Sequence, residues 1–150
     1  MVMAPSLDAA AIARIVTLCE AEPHREACGF VIRKGGVLLV EPIANVADRY
    51  HAADPVQFPR TSLDSYLMDP KEQLRVHKDL EATGGAIAVV WHSHVETGAY
   101  FSQKDRADAV IDGSPAVPGA EYLVLGLRRG RVIEVKRFAW DGETFAEAPF

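Results

Sequence analysis

Two histidines one residue apart, His92 and His94, are followed at fixed offsets by Ser102 and Asp105. Side chains two apart on an extended segment point the same way, so both imidazoles can reach one point while Ser93 faces elsewhere. Asp105 follows His94 by eleven residues, enough chain for a loop to fold back and present a carboxylate. Two imidazoles and a carboxylate, with one position left for water, make the ligand count of a hydrolytic zinc site. Such a site lowers the pKa of its water to about 7 and makes a nucleophile at neutral pH.

Each piece also has a role that needs no metal. A His-x-His at a strand end can be partly buried polar surface. Ser102-Gln103-Lys104-Asp105 reads as a helix cap, with Ser102 accepting from the backbone and Asp105 favoured in the first turn. Both jobs are compatible in one carboxylate. His94-Val95-Glu96 spells the H-x-E of nucleobase deaminases, which need a downstream Pro-Cys-x-x-Cys. Cys19 and Cys28 both lie upstream, so that reading loses its ligands. His24, His51 and His77 are isolated and are expected at the surface or in loops.

The elements that must position these residues follow from periodicity. A helical stripe of Leu7, Ile12, Ile15, Val16 and Cys19 predicts a helix over 8–22, ended by Pro23. Ala27 to Arg33, a turn at Lys34-Gly35-Gly36, and Val37 to Val40 predict a β-hairpin. Residues 42–60, with three prolines and Phe58 as the one large anchor, read as loop or irregular strand. A second helix is expected over 62–81, with a separate short turn before Pro70 as a variant. Ala86 to Trp91 is an apolar run typical of a strand covered on both faces, with His92 and His94 at its C-terminal end. A short helix over 102–111, a hairpin of 122–127 with 132–140, and a last strand near 143–146 complete the chain.

Composition bounds the rest. At 150 residues the chain has the size of one domain, 1–150, able to bury a core without staples. No run is apolar enough to cross a bilayer, and the first residues lack the basic and apolar regions of a secretory signal, so a cytoplasmic location without membrane attachment is expected. Two cysteines outside any C-x-x-C pair indicate reduced thiols. Net charge is −5, and the cluster Arg128, Arg129, Arg131, Lys136 and Arg137 alternates with apolar residues as a solvated strand face would. Nucleic acid is therefore not the expected partner.

Taken together, His92-Ser93-His94, seven intervening residues, Ser102-Gln103-Lys104-Asp105, and the upstream Glu26-Ala27-Cys28-Gly29 resemble the JAMM motif of the MPN metallopeptidases, in their prokaryotic JAB-domain branch. The resemblance spans nearly the whole chain in its order of elements. It implies a cytidine-deaminase-like α/β fold: a curved mixed sheet flanked by helices, with the metal at one sheet end. It further implies one Zn2+ held by His92, His94 and Asp105, with Glu26 as general base and Ser102 as oxyanion donor. Without it, Glu26 is an unremarkable acidic residue after a helix.

The activity so implied is hydrolysis of an amide or isopeptide bond at the Gly-Gly end of a ubiquitin-like or sulfur-carrier protein, held by strand addition at a sheet edge. Two alternatives stay open: a non-catalytic scaffold that binds a ubiquitin-like partner, and a homodimer. Cys28 is read as a small buried residue rather than a nucleophile. Gly29 is kept for close packing or for backbone geometry. Asn45 and the Phe58 loop resemble positions near the substrate groove. One letter departs from the family pattern: Val95 stands where proline usually follows the second histidine, which leaves 95–101 freer or differently shaped.

Overall fold

The structure, a computed structural model, describes residues 7–150. The stretch 1–6, read above for its lack of a leader, lies outside them. In chain order the elements are α1 (Ala9–Glu20), β1 (Cys28–Lys34), β2 (Val37–Ile43), α2 (Ala47–Ala53), α3 (Pro70–Thr83), β3 (Ala86–Val95), α4 (Gln103–Ala109), β4 (Val110–Ile111), β5 (Ser114–Pro115), β6 (Glu121–Arg128), β7 (Arg131–Trp140) and β8 (Phe145–Ala148). Six strands form one mixed sheet in the order β2-β1-β3-β6-β7-β8, and β4 pairs with β5 in a separate ribbon. Only β3 and β6 are parallel neighbours in that sheet. Among the described residues no helix is long and apolar enough to cross a membrane.

The sheet carries a core on each face, which is why β3 reads as a continuous apolar run. One face packs Val31, Val89, Trp91, Leu123, Leu125 and Leu127 against Ile15 and Cys19 of α1. The other packs Phe30, Val90, Tyr122 and Val124 against Val76 and Leu80 of α3. Past a register irregularity opposite Val31 and Ile32, β3 alternates strictly. Val89, Trp91 and Ser93 therefore face α1, while Val90, His92 and His94 face the α3 side.

Several boundaries differ from expectation for identifiable reasons. The second helix begins at Pro70 rather than 62, because Asp69 caps it by accepting from Lys71 N–H and proline fits the first helical position. Residues 62–69 are turns with an isolated bridge from Asn45 to Met68, leaving Leu63 exposed. The expected irregular segment 42–60 contains the end of β2 and the whole of α2, whose sequence holds one buried side chain, Ala47, and so shows no helical stripe. The short helix stops at Ala109 and the last strand falls at 145–148, two residues later than expected. His24 and His77 are exposed and His51 is half-buried, His51 and His77 lying on helices, in keeping with the expected surface positions.

The basic cluster is a solvated face with acid partners: Arg131 pairs with Glu20, Lys136 with Glu147 and Arg137 with Glu121. Gly29 resolves to close packing, since a Cβ there would lie 2.5 Å from the Trp91 ring and 2.4 Å from the Glu41 carbonyl. Gly126 has the same function opposite His94, where a Cβ would meet the Thr97 carbonyl oxygen at 2.6 Å and the Gly98 carbonyl carbon at 2.8 Å. The loop after β3 therefore lies directly on the backbone of β6. Gly126→Ala is expected to lose roughly 1–3 kcal/mol of stability and to weaken metal binding. Thermal unfolding with zinc titration checks this, and unchanged values for both would contradict the loop's seat.

Candidate metal centre

Alternation on β3 places the His92 and His94 imidazoles side by side on the α3 face, both buried. Their Nε2 atoms are 3.2 Å apart, and Asp105 Oδ2 lies 3.2 Å from one and 3.3 Å from the other. A tetrahedral ion with ligand bonds of about 2.05 Å sets its ligand atoms about 3.3 Å apart. The three atoms thus sit at the corners that such an ion requires. Protons alone serve them poorly. His94 Nδ1 bonds the Gly98 carbonyl at 2.9 Å, and a carbonyl only accepts, so Nδ1 carries the hydrogen and a neutral His94 aims the Nε2 lone pair at Asp105. Fixing the tautomer through the far nitrogen is the usual support for a metal-ligating histidine.

The third corner comes from a reciprocal helix cap. Ser102 Oγ accepts from Asp105 N–H at 3.0 Å, while Asp105 Oδ2 accepts from Ser102 N–H at 3.0 Å. The cap thereby fixes the carboxylate's rotamer against the two rings. The loop that delivers α4 is pinned at both ends despite lacking proline at 95. Glu96 adopts a left-handed conformation (φ 57°) and its carboxylate accepts from Arg129 N–H. Ala99 N–H donates to Glu134 at 2.7 Å, and Ala99 and Phe101 are buried. Glu96, the E of the deaminase-like triplet, is spent on the β6–β7 turn.

Glu26 lies just before β1 and is 5% exposed. Its neighbour Ala27 is clamped to the metal strand: Ala27 N–H donates to Ser93 Oγ at 2.8 Å, and Ser93 N–H donates to the Ala27 carbonyl at 2.9 Å. Ser93 thus faces away from the triangle, as expected, and ties Glu26 to it. Asn45 completes the support with all four of its amide positions used. It donates to the Glu26 and Ser65 carbonyls and accepts from Ala47 and Leu67 N–H. Nothing local in the sequence signals this hub, because its partners come from three separate segments.

The charges at the site are coupled. Burial pushes the Glu26 carboxyl up to about 8, His94 and Lys104 pulling against it and Asp105 reinforcing it. Burial also opposes ionisation of Asp105, yet His92, His94 and the Ser102 N–H hold it well below the usual carboxylate range. On His92 burial prevails and lowers the pKa, whereas on His94 the acceptors Asp105 and Gly98, with Glu26, outweigh burial and raise it. Two aromatic rings wall the triangle: Tyr66 stacks on His92 at 4.5 Å, and Tyr100, 53% exposed, lies 4.9 Å from His94. Both thiols are free and inert, burial raising Cys19 to about 12 and Cys28 further still.

The site residues expected from sequence are therefore found together: His92, His94 and Asp105 in the triangle, Ser102 in its cap, and Glu26 electrostatically coupled to it. The chain belongs to the family described as "Prokaryotic homologs of the JAB domain", which matches residues 8–140. Its fold is the mixed α/β fold of that family. Protein DSY2949 from Desulfitobacterium hafniense is similar in structure, with a TM-score of 0.65 and 24% identity over 93% of this chain and 86% of that one. A protein from Salinibacter ruber is similar with a TM-score of 0.56 and 16% identity over 95% and 88% of the two chains. No curated protein matches.

Two outcomes are expected. Asp105→Ala should reduce zinc affinity by more than about 100-fold, read by chelator competition, since it deletes one of three ligands; equal affinity would remove Asp105 from the ligand set. In metal-free protein the Glu26 pKa is higher folded than unfolded, so wild-type stability falls as pH rises from about 4.5 to about 8. Glu26→Gln should match wild type below that window and exceed it by on the order of 2–4 kcal/mol at its upper end. Denaturant titrations across pH check the widening gap.

Proposed function

We propose that the chain is a zinc-dependent amide hydrolase that cuts after the Gly-Gly terminus of a ubiquitin-like or sulfur-carrier protein, releasing it from an amino acid or a protein amine. The observation that carries this reading is the triangle of His92, His94 and Asp105 with the buried carboxylate of Glu26 coupled to it. These three ligands suit zinc in donor type and spacing. When bound, the ion supplies Lewis acidity, lowering the pKa of water and polarising a carbonyl.

The chain's own residues supply the proton transfers. Glu26, pushed up to about 8 before any cation is added and drawn back towards ionisation by the positive charge of one, takes in its ionised form the proton of the attacking water as the water oxygen bonds to the carbonyl carbon. It then delivers that proton to the nitrogen as the C–N bond breaks. Ser102 Oγ accepts from Asp105 N–H and keeps its own hydrogen to donate to the carbonyl oxygen as negative charge develops there. Tyr66 and Tyr100 flank the two imidazoles, and an unbranched diglycine is the acyl tail that would pass between such rings most easily. The edges of the main sheet, β2 and β8, are separated from β3 by other strands, so the tail is held across the sheet face rather than by pairing with that sheet's edge.

A binding scaffold has no use for Glu26. A carboxylate buried at a cost, with no hydrogen-bond partner for its oxygens among the described residues, is a feature of a reacting site. Glu26→Gln should retain zinc and lose hydrolysis of a Gly-Gly amide by 100-fold or more, on the order expected for a lost acid–base group; unchanged turnover would remove Glu26 as the base. Zinc affinity should fall roughly tenfold or more per pH unit below about 6.5, because protons compete for the imidazoles. The raised pKa of His94 starts this competition earlier than a free imidazole would. Full zinc occupancy well below that range, by metal analysis after dialysis, would contradict the ligand set.

A further inference from the structure

Beside the triangle, on the same face of the sheet, lies a cavity of about 730 Å³. Its floor is Phe30, Val90 and Tyr122, which stand opposite one another across β1, β3 and β6. The next row on that face is Cys28, His92 and Val124. Floor and metal ligands are thus two residues apart along the strand, about 7 Å. Tyr66 is shared, stacking on His92 while lining the cavity, and Lys104, next to Asp105, lines it too.

The cavity has a definite chemistry. Met68, Phe58 and Val117 add to the apolar floor. The only carboxylate on its wall among the described residues, Asp108, is bonded to Lys104 at 2.6 Å. Arg60, also on the wall, has no acid partner among the described residues. An apolar chamber with an unpaired guanidinium at its rim fits a ligand that joins a bulky apolar group to an anion.

Resting on the hydrolase reading, we propose that this cavity holds the leaving group, and that the preferred leaving group is a single amino acid with a large apolar side chain and a free α-carboxylate. Diglycine on the acyl side has no side chain to fill a chamber of this size. The residue on the amine side bears both its side chain and its carboxylate on the carbon next to the scissile nitrogen. The side chain descends onto Val90 and Tyr122, and the carboxylate pairs with Arg60. Hydrolysis breaks only the Gly–X amide: water supplies the hydroxyl to glycine and the hydrogen to the released amine.

The test uses the full zinc-loaded chain and tail peptides ending Gly-Gly-Phe, Gly-Gly-Ala and Gly-Gly-phenylalaninamide. We expect kcat/KM for the Phe acid to exceed that for Ala by about 10–200-fold, the range for added apolar contact, and to exceed that for the amide. Arg60→Gln, on an exposed side chain, should erase the preference for acid over amide, and Val117→Trp should erase that for Phe over Ala. Equal kcat/KM for Phe and Ala overturns the assignment while leaving the hydrolase intact. A second arm follows backbone amide shifts of 57–60 and 116–118 on adding phenylalanine itself, with alanine as control. Shifts without hydrolysis of any peptide overturn the hydrolase reading and support the cavity's ligand class. Absence of shifts with phenylalanine overturns the cavity assignment.

Discussion

Two imidazole nitrogens and a carboxylate oxygen are held within 3.3 Å of one another by buried side chains. Such an arrangement is repulsive unless something positive lies among them, and the low local dielectric magnifies the penalty. Three supports hold the atoms in that arrangement. The Gly98 carbonyl fixes one ring, the Ser102–Asp105 cap fixes the carboxylate, and the seat of the loop on Gly126 holds the cap in place. Each support is backbone-mediated, which makes the triangle stiffer than side-chain contacts alone would.

The second carboxylate obeys an opposite logic. Asp105 is surrounded by donors that keep it ionised, whereas Glu26 is buried without them and is pushed up to about 8. Environments that drive two acids apart are those that the proposed roles of ligand and base would need. The division depends on Ser93, whose hydroxyl and N–H face the segment of Glu26 while its neighbours face Asp105. One three-residue stretch of β3 thus serves both acids from its two sides.

The ligands were legible in the sequence because strand alternation makes His-x-His a same-face pair and because a capping signature marks where Asp105 must lie. The central strand was equally plain, being apolar from Ala86 to Trp91. Glu26 was legible only through family resemblance: its proximity to the triangle comes from β1–β3 pairing, a contact between distant segments that no local pattern encodes. The same limit hid Tyr66 and left Asn45 legible only as a position resembling one near the groove, not as the hub of four hydrogen bonds. The helix α2 was missed for a different reason, since with Ala47 as its one buried residue it carries no amphipathic stripe, while the start of α3 at Pro70 was legible only as a variant with a separate turn before it, because a proline that interrupts and a proline that begins a helix read alike.

The parallel pairing of β3 with β6 has a further consequence for how the molecule comes together. Parallel neighbours cannot be joined by a tight turn, so the chain from 96 to 120 must leave the sheet, cross one face and return. Asp105 rides on that excursion, while His92 and His94 belong to the strand that precedes it. The triangle therefore closes only when a long-range, entropically slow contact has formed. A cation captured at that moment locks the crossover down, so metal binding would retard unfolding more than it hastens folding.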